Sequence, residues 1–177
     1  MCDGYTATLR PATQDDIEIL VKWDGDPELA WLMGCSHRTP EESRARLSKL
    51  IGDRNSVVMC IVDPDGHVVG DIVLTEIGWR RREAELSVRI GERENRGKGI
   101  GQQAVRQMLD FAFGRLGLNR VYLRVCADNL RAIQCYRKCG FKREGAVKRK
   151  LAEGQEPRTV VLMTVSRFEL LSKDVAS

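Results

Sequence analysis

The sequence predicts an α/β (α+β) domain built around one mixed sheet. Three observations carry that prediction. Short apolar-alternating runs recur along the chain, interleaved with stretches whose apolar residues repeat at helical spacing. A glycine-rich loop, Arg96-Gly97-Lys98-Gly99-Ile100-Gly101, joins one alternating run to a long amphipathic one. The length of 177 residues, 42% of them hydrophobic and 31% charged, suits one domain (1–177) with a full core.

Taken in order, residues 5–10 alternate and read as a first strand. Thr13 can cap a helix over 14–23, with Asp16 at the capping-box position and Ile17, Leu20 and Val21 on one face. Asp24-Gly25-Asp26-Pro27 breaks it. Thr39-Pro40-Glu41-Glu42 starts the next helix with a cap, a proline in the first turn and an acid at the third position; Leu47, Leu50 and Ile51 form its apolar stripe. Residues 57–62 and 68–77 are strands joined by the turn Asp63-Pro64-Asp65-Gly66. A short basic connection leads to a central strand, 84–90. The helix after the glycine loop spans 100–116, buries Ala104, Val105, Met108, Leu109 and Ala112, and stops at Gly117. Residues 121–126 form a strand, and 142–151 and 158–168 form two more around a turn at 152–155.

The composition narrows the function classes. No run is long and apolar enough to span a membrane. Met1-Cys2-Asp3-Gly4-Tyr5 lacks the basic start and apolar stretch of a secretory signal, so a cytoplasmic protein is expected. Cys2, Cys35, Cys60, Cys126, Cys135 and Cys139 contain no C-x-x-C pair, and the histidines, His37 and His67, are far apart. Zinc spacing is therefore absent, no metal site is expected, and reduced thiols are. Cys135 and Cys139 stand one helical turn apart, which leaves a redox role open. The net charge is +4, with basic clusters at Arg80-Arg81-Arg82 and between Arg137 and Lys150. These read as solvated faces or as an attraction for an anionic ligand. Nucleic acid is not expected, because the aromatic residues are few and not interleaved with the basic ones.

The glycine loop carries the chemistry. Bare backbone N–H groups where a strand turns into a helix, at the positive end of the helix dipole, suit phosphate oxygens. A dinucleotide fingerprint fails because Gln102 stands where its third glycine belongs, and a Walker loop fails because Gly99 follows Lys98. What remains is Arg-x-x-Gly-x-Gly. Alone, it fits a phosphate site or a tight ligand-free turn equally well. A second motif follows in order after a helix and a strand: Asn129, Ala132, Ile133, Tyr136, Lys138, Gly140 and Phe141 spell N-x-x-A-I-x-x-Y-x-K-x-G-F. Together the two motifs resemble the GNAT (GCN5-related) N-acetyltransferases. The resemblance covers about 9–168, most specifically 84–145, and is nearest in flavour to the bacterial ribosomal-protein N-terminal acetyltransferases and the spermidine acetyltransferases.

The resemblance implies a mostly antiparallel twisted sheet of about seven strands, splayed between the fourth and fifth and flanked by about four helices. It implies acetyl-CoA as cofactor, coenzyme A as product and no metal. The backbone of Val88, Arg89 and Ile90 would pair with the pantetheine amides. The N–H groups of Arg96, Gly97, Lys98, Gly99, Ile100 and Gly101 would hold the pyrophosphate. Asn129 would bond the pantetheine arm, cap a helix, or do both. Tyr136 would be the general acid, a phenol of parent pKa ~10 that stays protonated for a leaving thiolate; packing in the core is its bland alternative. Glu85 would take the proton of the amine, unless it is only the ion-pair partner of Arg80 to Arg82 or Arg89. Glu76 is a second candidate, and ordered water without a dedicated base a third option. A strand N–H, that of Val88, would receive the oxyanion. The connection Gly91-Glu92-Arg93-Glu94-Asn95 is longer than in the related forms and lacks their proline.

The acceptor amine stays open: a protein or peptide N-terminus, a polyamine or an aminoglycoside. A polyamine site should cluster carboxylates, for which Asp24, Asp26, Glu28, Glu41, Glu42, Glu76 and Glu83 are available. By resemblance, the segment holding Trp31, Met33, Cys35 and His37 faces substrate, although ordinary packing explains each residue singly. A catalytically silent acyl-CoA-binding module is the alternative function, and a homodimer is common in the resembling group.

Overall fold

The computed structural model describes residues 6–36, 38–151 and 156–174. Seven strands form one sheet in the order β1-β2-β3-β4-β5-β7-β6. They are β1 (Thr8–Pro11), β2 (Val57–Val62), β3 (Val68–Gly78), β4 (Glu83–Ile90), β5 (Arg120–Cys126), β6 (Lys142–Arg149) and β7 (Arg158–Ser166). Every pairing is antiparallel except β4 with β5. That parallel pair spans only Glu83↔Arg120, Ala84↔Val121 and Glu85↔Tyr122. Beyond Glu85, β4 keeps β3 on one side while β5 stays with β7, so the two central strands part.

The helices are α1 (Ile17–Asp24), α2 (Pro27–Met33), α3 (Pro40–Gly52), α4 (Ile100–Asp110), α5 (Leu130–Lys138) and α6 (Arg167–Asp174). Strand alternation divides the core in two. Met59 and Ile61 of β2 join Ala104, Val105 and Met108 of α4 on one face of the sheet. Val58 and Cys60 join Leu20, Val21 and Leu47 of α1 and α3 on the other. In this dry setting burial pushes the Cys60 thiol up to about 12.

Several expectations need correction. About four helices were expected and six are found among the described residues. α2 is new: Asp26 is its N-cap, accepting from the N–H of Glu28 at 2.8 Å, and Pro27 opens it, so the supposed breaker is a start signal. α6 replaces the end of the last predicted strand. Ser166 and Glu169 bond each other's backbone N–H at 3.3 and 3.2 Å, a capping box that turns the chain before Phe168. Thr13 and Asp16 form the expected box, but they open a 3-10 turn that leads into α1. The predicted helix over 100–116 is α-helical to Asp110 and then π-helical over Phe111–Arg115, ending at Gly117 with φ 66°. The first strand begins at Thr8 instead of Tyr5, which lies outside the described residues, as do His37 and the turn at 152–155.

Arg89 of β4 is buried, donating to Asp71 of β3 at 2.7 Å and to Asp24 of α1 at 2.6 Å. Asp24 also accepts from Arg46 of α3 at 2.9 Å. This network ties both helices to the sheet beneath the point where the central strands separate. Gly91 follows β4 under the Trp23 ring, which a Cβ there would overlap. The Trp23 indole N–H donates to Glu92 at 3.2 Å, seating the longer connection against α1.

Candidate active site

The parting of β4 and β5 opens a cleft of ≈ 710 Å³ walled by Val88, Arg89 and Ile90, the glycine loop and α5. Residues Leu86 to Ile90 have no strand beside them on this side, so part of the β4 edge is bare backbone inside a groove. Such groups call for an added partner. At one end, Gly97 and Gly99 take φ 83° and 81°, the left-handed region that glycine tolerates and other residues resist. Gly99 is the N-cap of α4, so its turn delivers the first N–H groups of that helix to the cleft.

The structure divides the predicted loop residues. Gly97, Gly99, Gly101 and Arg96 line the cleft. Ile100 is 1% exposed and its side chain belongs to the core, so only its backbone is available. Lys98 is not part of the wall either. The Arg96 guanidinium donates to the carbonyls of Ile90 at 3.0 Å and Gly91 at 2.9 Å and pairs with Glu28 at 3.1 Å, clamping the loop to the end of β4. The guanidinium of Arg89 is held in its buried network, so its side chain is not a ligand group. Arg131 of α5 was not singled out from the sequence, yet its Nη2 lies 3.2 Å from where a Gly97 Cβ would be, adding a cation at the loop. Only its place inside the second motif hinted at this.

A second pocket of ≈ 430 Å³ opens from the same junction toward β5 and the end of β6. Leu32, Met33, Val88, Asn129, Ala132 and Tyr136 line both hollows. Tyr136 therefore stands where they meet, 7% exposed, with its ring 5.8 Å from that of Phe141. Among the described residues its hydroxyl has no protein partner. Burial raises its pKa above that of an ordinary phenol, so it is a proton donor and not a phenolate. Asn129 caps α5, accepting from the Ala132 N–H at 3.2 Å and donating to the Leu32 carbonyl at 3.3 Å. The capping role is thus present, and it also fixes the end of α2 at the junction.

Glu85 lines the second pocket and accepts from Arg124 of β5 at 2.6 Å. Its ion-pair partner is Arg124 and neither the Arg80 to Arg82 run nor Arg89, because adjacent strands bring 85 and 124 together across the sheet. Burial raises its pKa, against the opposing pull of Arg124. Glu76 is elsewhere: it accepts from the Tyr122 hydroxyl at 2.8 Å and lines a separate hollow of ≈ 740 Å³ at the Glu83 end of β4. Cys135 lines the cleft and Cys139 lies behind it, donating to the Gln102 carbonyl at 3.6 Å. The Cys139 hydrogen bond lowers the pKa of Cys135, and its own is raised.

A split between parallel central strands, a glycine loop at a helix start and a tyrosine at the junction define an acyltransferase-type fold, and the family comparison agrees. The chain belongs to the acetyltransferase (GNAT) domain family, whose model matches residues 7–142. It is 29% identical over 180 residues to a spermidine N(1)-acetyltransferase of Escherichia coli strain K12, covering 98% of this chain and 92% of that protein. It is 25% identical over 154 residues to an aminoglycoside N(6')-acetyltransferase type 1 of Klebsiella pneumoniae, covering 80% and 77%. In fold it is similar to the crystal structure of spermidine N-acetyltransferase from Vibrio cholerae in complex with CoA and spermine, with a TM-score of 0.86 and 24% identity over 93% of this chain and 98% of that one. Among the described residues, no helix is long and apolar enough to cross a membrane.

Proposed function

We propose that this chain transfers the acetyl group of acetyl-CoA to a primary amine by direct attack in a ternary complex. The observation that carries this reading is the bare β4 edge running from the glycine loop to Tyr136, where the second pocket begins. The cofactor fits what the residues offer: backbone donors and acceptors for its amides along Val88, Arg89 and Ile90, and N–H groups from Arg96 through Gly101, with Arg131 beside them, for its pyrophosphate. When bound, acetyl-CoA supplies an acetyl group already activated as a thioester. Tyr136 holds a proton at its hydroxyl in a site that excludes bulk water. Glu85, paired with Arg124, accepts the amine's proton directly or through water. The Val88 N–H offers an oxyanion donor. Asn129 holds α2 and α5 together around them. The free thiols of Cys35, Cys60, Cys126, Cys135 and Cys139 support a reducing compartment such as the cytoplasm.

Thiol release from acetyl-CoA against a panel of amines tests the reading. Turnover on any of them upholds it, and tight coenzyme binding without turnover would favour the silent binding module. Glu85→Gln tests the base. A base must be deprotonated, so kcat/KM should fall as pH drops through a pKa raised above the usual carboxylate range, and that acidic limb should vanish in the variant. An unchanged profile removes Glu85 from the reaction. Gly99→Ala places a side chain at φ 81°, and the loop is expected to turn its N–H groups away, weakening coenzyme A about tenfold by calorimetry, a loss of ~1.4 kcal/mol.

A further inference from the structure

We infer that the acceptor is a small amine carrying an anionic group, a carboxylate or a phosphate, and is not a polycation. This rests on the acetyltransferase reading above, since it assigns the second pocket to the acceptor. Among the described residues, that pocket is lined by four cations, Arg38, Arg124, Arg149 and Lys150, against a single carboxylate, Glu85. Arg124 is bonded to Glu85 at 2.6 Å, and Arg149 also faces it electrostatically. Arg38 and Lys150 have no ion-pair partner among the described residues. The pocket beside Tyr136 is therefore positive in balance.

A polyamine that gives up one proton to react still carries ammonium groups, and these need carboxylates. The carboxylates that were candidates for that task are engaged elsewhere. Asp24 belongs to the Arg89 network, Asp26 caps a helix, and Glu42 accepts from the Thr39 N–H in the capping box of α3. Glu28 pairs with Arg93 at 2.8 Å and with Arg96 at the loop end of the cleft. Glu41 lies 3.9 Å from Arg44 on α3, and Glu76 and Glu83 line the separate hollow. None of the seven lines the second pocket. The relatives named for spermidine and for an aminoglycoside act on cationic amines, and this chain presents charge of the same sign as those amines where its acceptor would sit.

Matched pairs test the charge directly: L-leucine against L-leucinamide for a carboxylate, O-phosphoethanolamine against ethanolamine for a phosphate, with spermidine beside them. In coenzyme A release with the full chain, the member of at least one pair that carries the carboxylate or phosphate should exceed its partner that lacks it, and spermidine, by about tenfold or more in kcat/KM. Which pair responds identifies the anion. In the double variant Arg38→Gln with Lys150→Gln, at unchanged Tm, the ratio within that pair should collapse to about threefold or less. A preference for spermidine or for the members that lack the anionic group overturns the inference and leaves the acetyltransferase reading standing. If nothing turns over, thermal shift of the coenzyme-A-loaded protein reads acceptor binding. A shift by an anionic amine that is lost in the double variant supports the inference, and a shift by spermidine alone, or by no amine, overturns it. Failure to bind coenzyme A at all overturns the acetyltransferase reading itself.

Discussion

Tyr136→Phe is expected to lower kcat by about 10²- to 10³-fold while coenzyme A affinity stays within about twofold. The phenylalanine ring keeps the packing against Phe141 at 5.8 Å. The lost hydroxyl has no protein partner among the described residues, so its removal orphans no buried group and the Tm should hold. What disappears is a proton that burial keeps on the oxygen throughout the neutral range. Steady-state kinetics combined with calorimetry separates the two effects. An unchanged kcat would return Tyr136 to the role of a core aromatic.

The second large effect is on stability. Arg89→Met removes the cation shared by Asp24 and Asp71, both as buried as the arginine itself. Breaking such a network leaves uncompensated charge in the interior, a loss of about 3–5 kcal/mol, or roughly 6–20 °C in Tm for a chain of this size. The pH dependence has a definite sign. In the wild type, burial pushes the Asp24 carboxyl up, but Arg89 and Arg46 outweigh burial and hold it below its ordinary value. Its contribution is therefore present above the unfolded carboxylate range and is lost as pH falls through the lowered folded value. In the variant the Asp24 carboxylate, deprived of Arg89, protonates more readily, so the Tm deficit should be widest near neutrality and should narrow toward pH 5. Thermal denaturation across that range is the check, and an unshifted Tm at pH 7 would remove the network from any structural role.

Local signals were the reliable part of the sequence. Thr39, Pro40 and Glu42 open α3 where their spacing says they should, and the alternation of Val57 to Val62 sorts its side chains to the two faces of the sheet. The two missed helices were legible and were misread. Asp26-Pro27 is both a stop for one helix and a start for the next, and Ser166-Arg167-Phe168-Glu169 spells a capping box behind a strand whose apolar run masked it. Both motifs at the cleft were visible because their geometry is local: a left-handed glycine needs no distant partner to declare itself.

Partnership across the sheet was not visible. Arg89 looked like one more residue on a cofactor-facing strand, yet its guanidinium is held by Asp71, 18 positions away, and Asp24, 65 away. Glu85 found Arg124, and Glu76 went to Tyr122 in another hollow. The sequence by itself determined the element types, the glycine turn, the caps and the family, since these depend on backbone preferences and short-range spacing. Only the tertiary structure decided which charges neutralise one another and which remain to meet a substrate, because Coulomb energy depends on distance and burial that residue order does not carry.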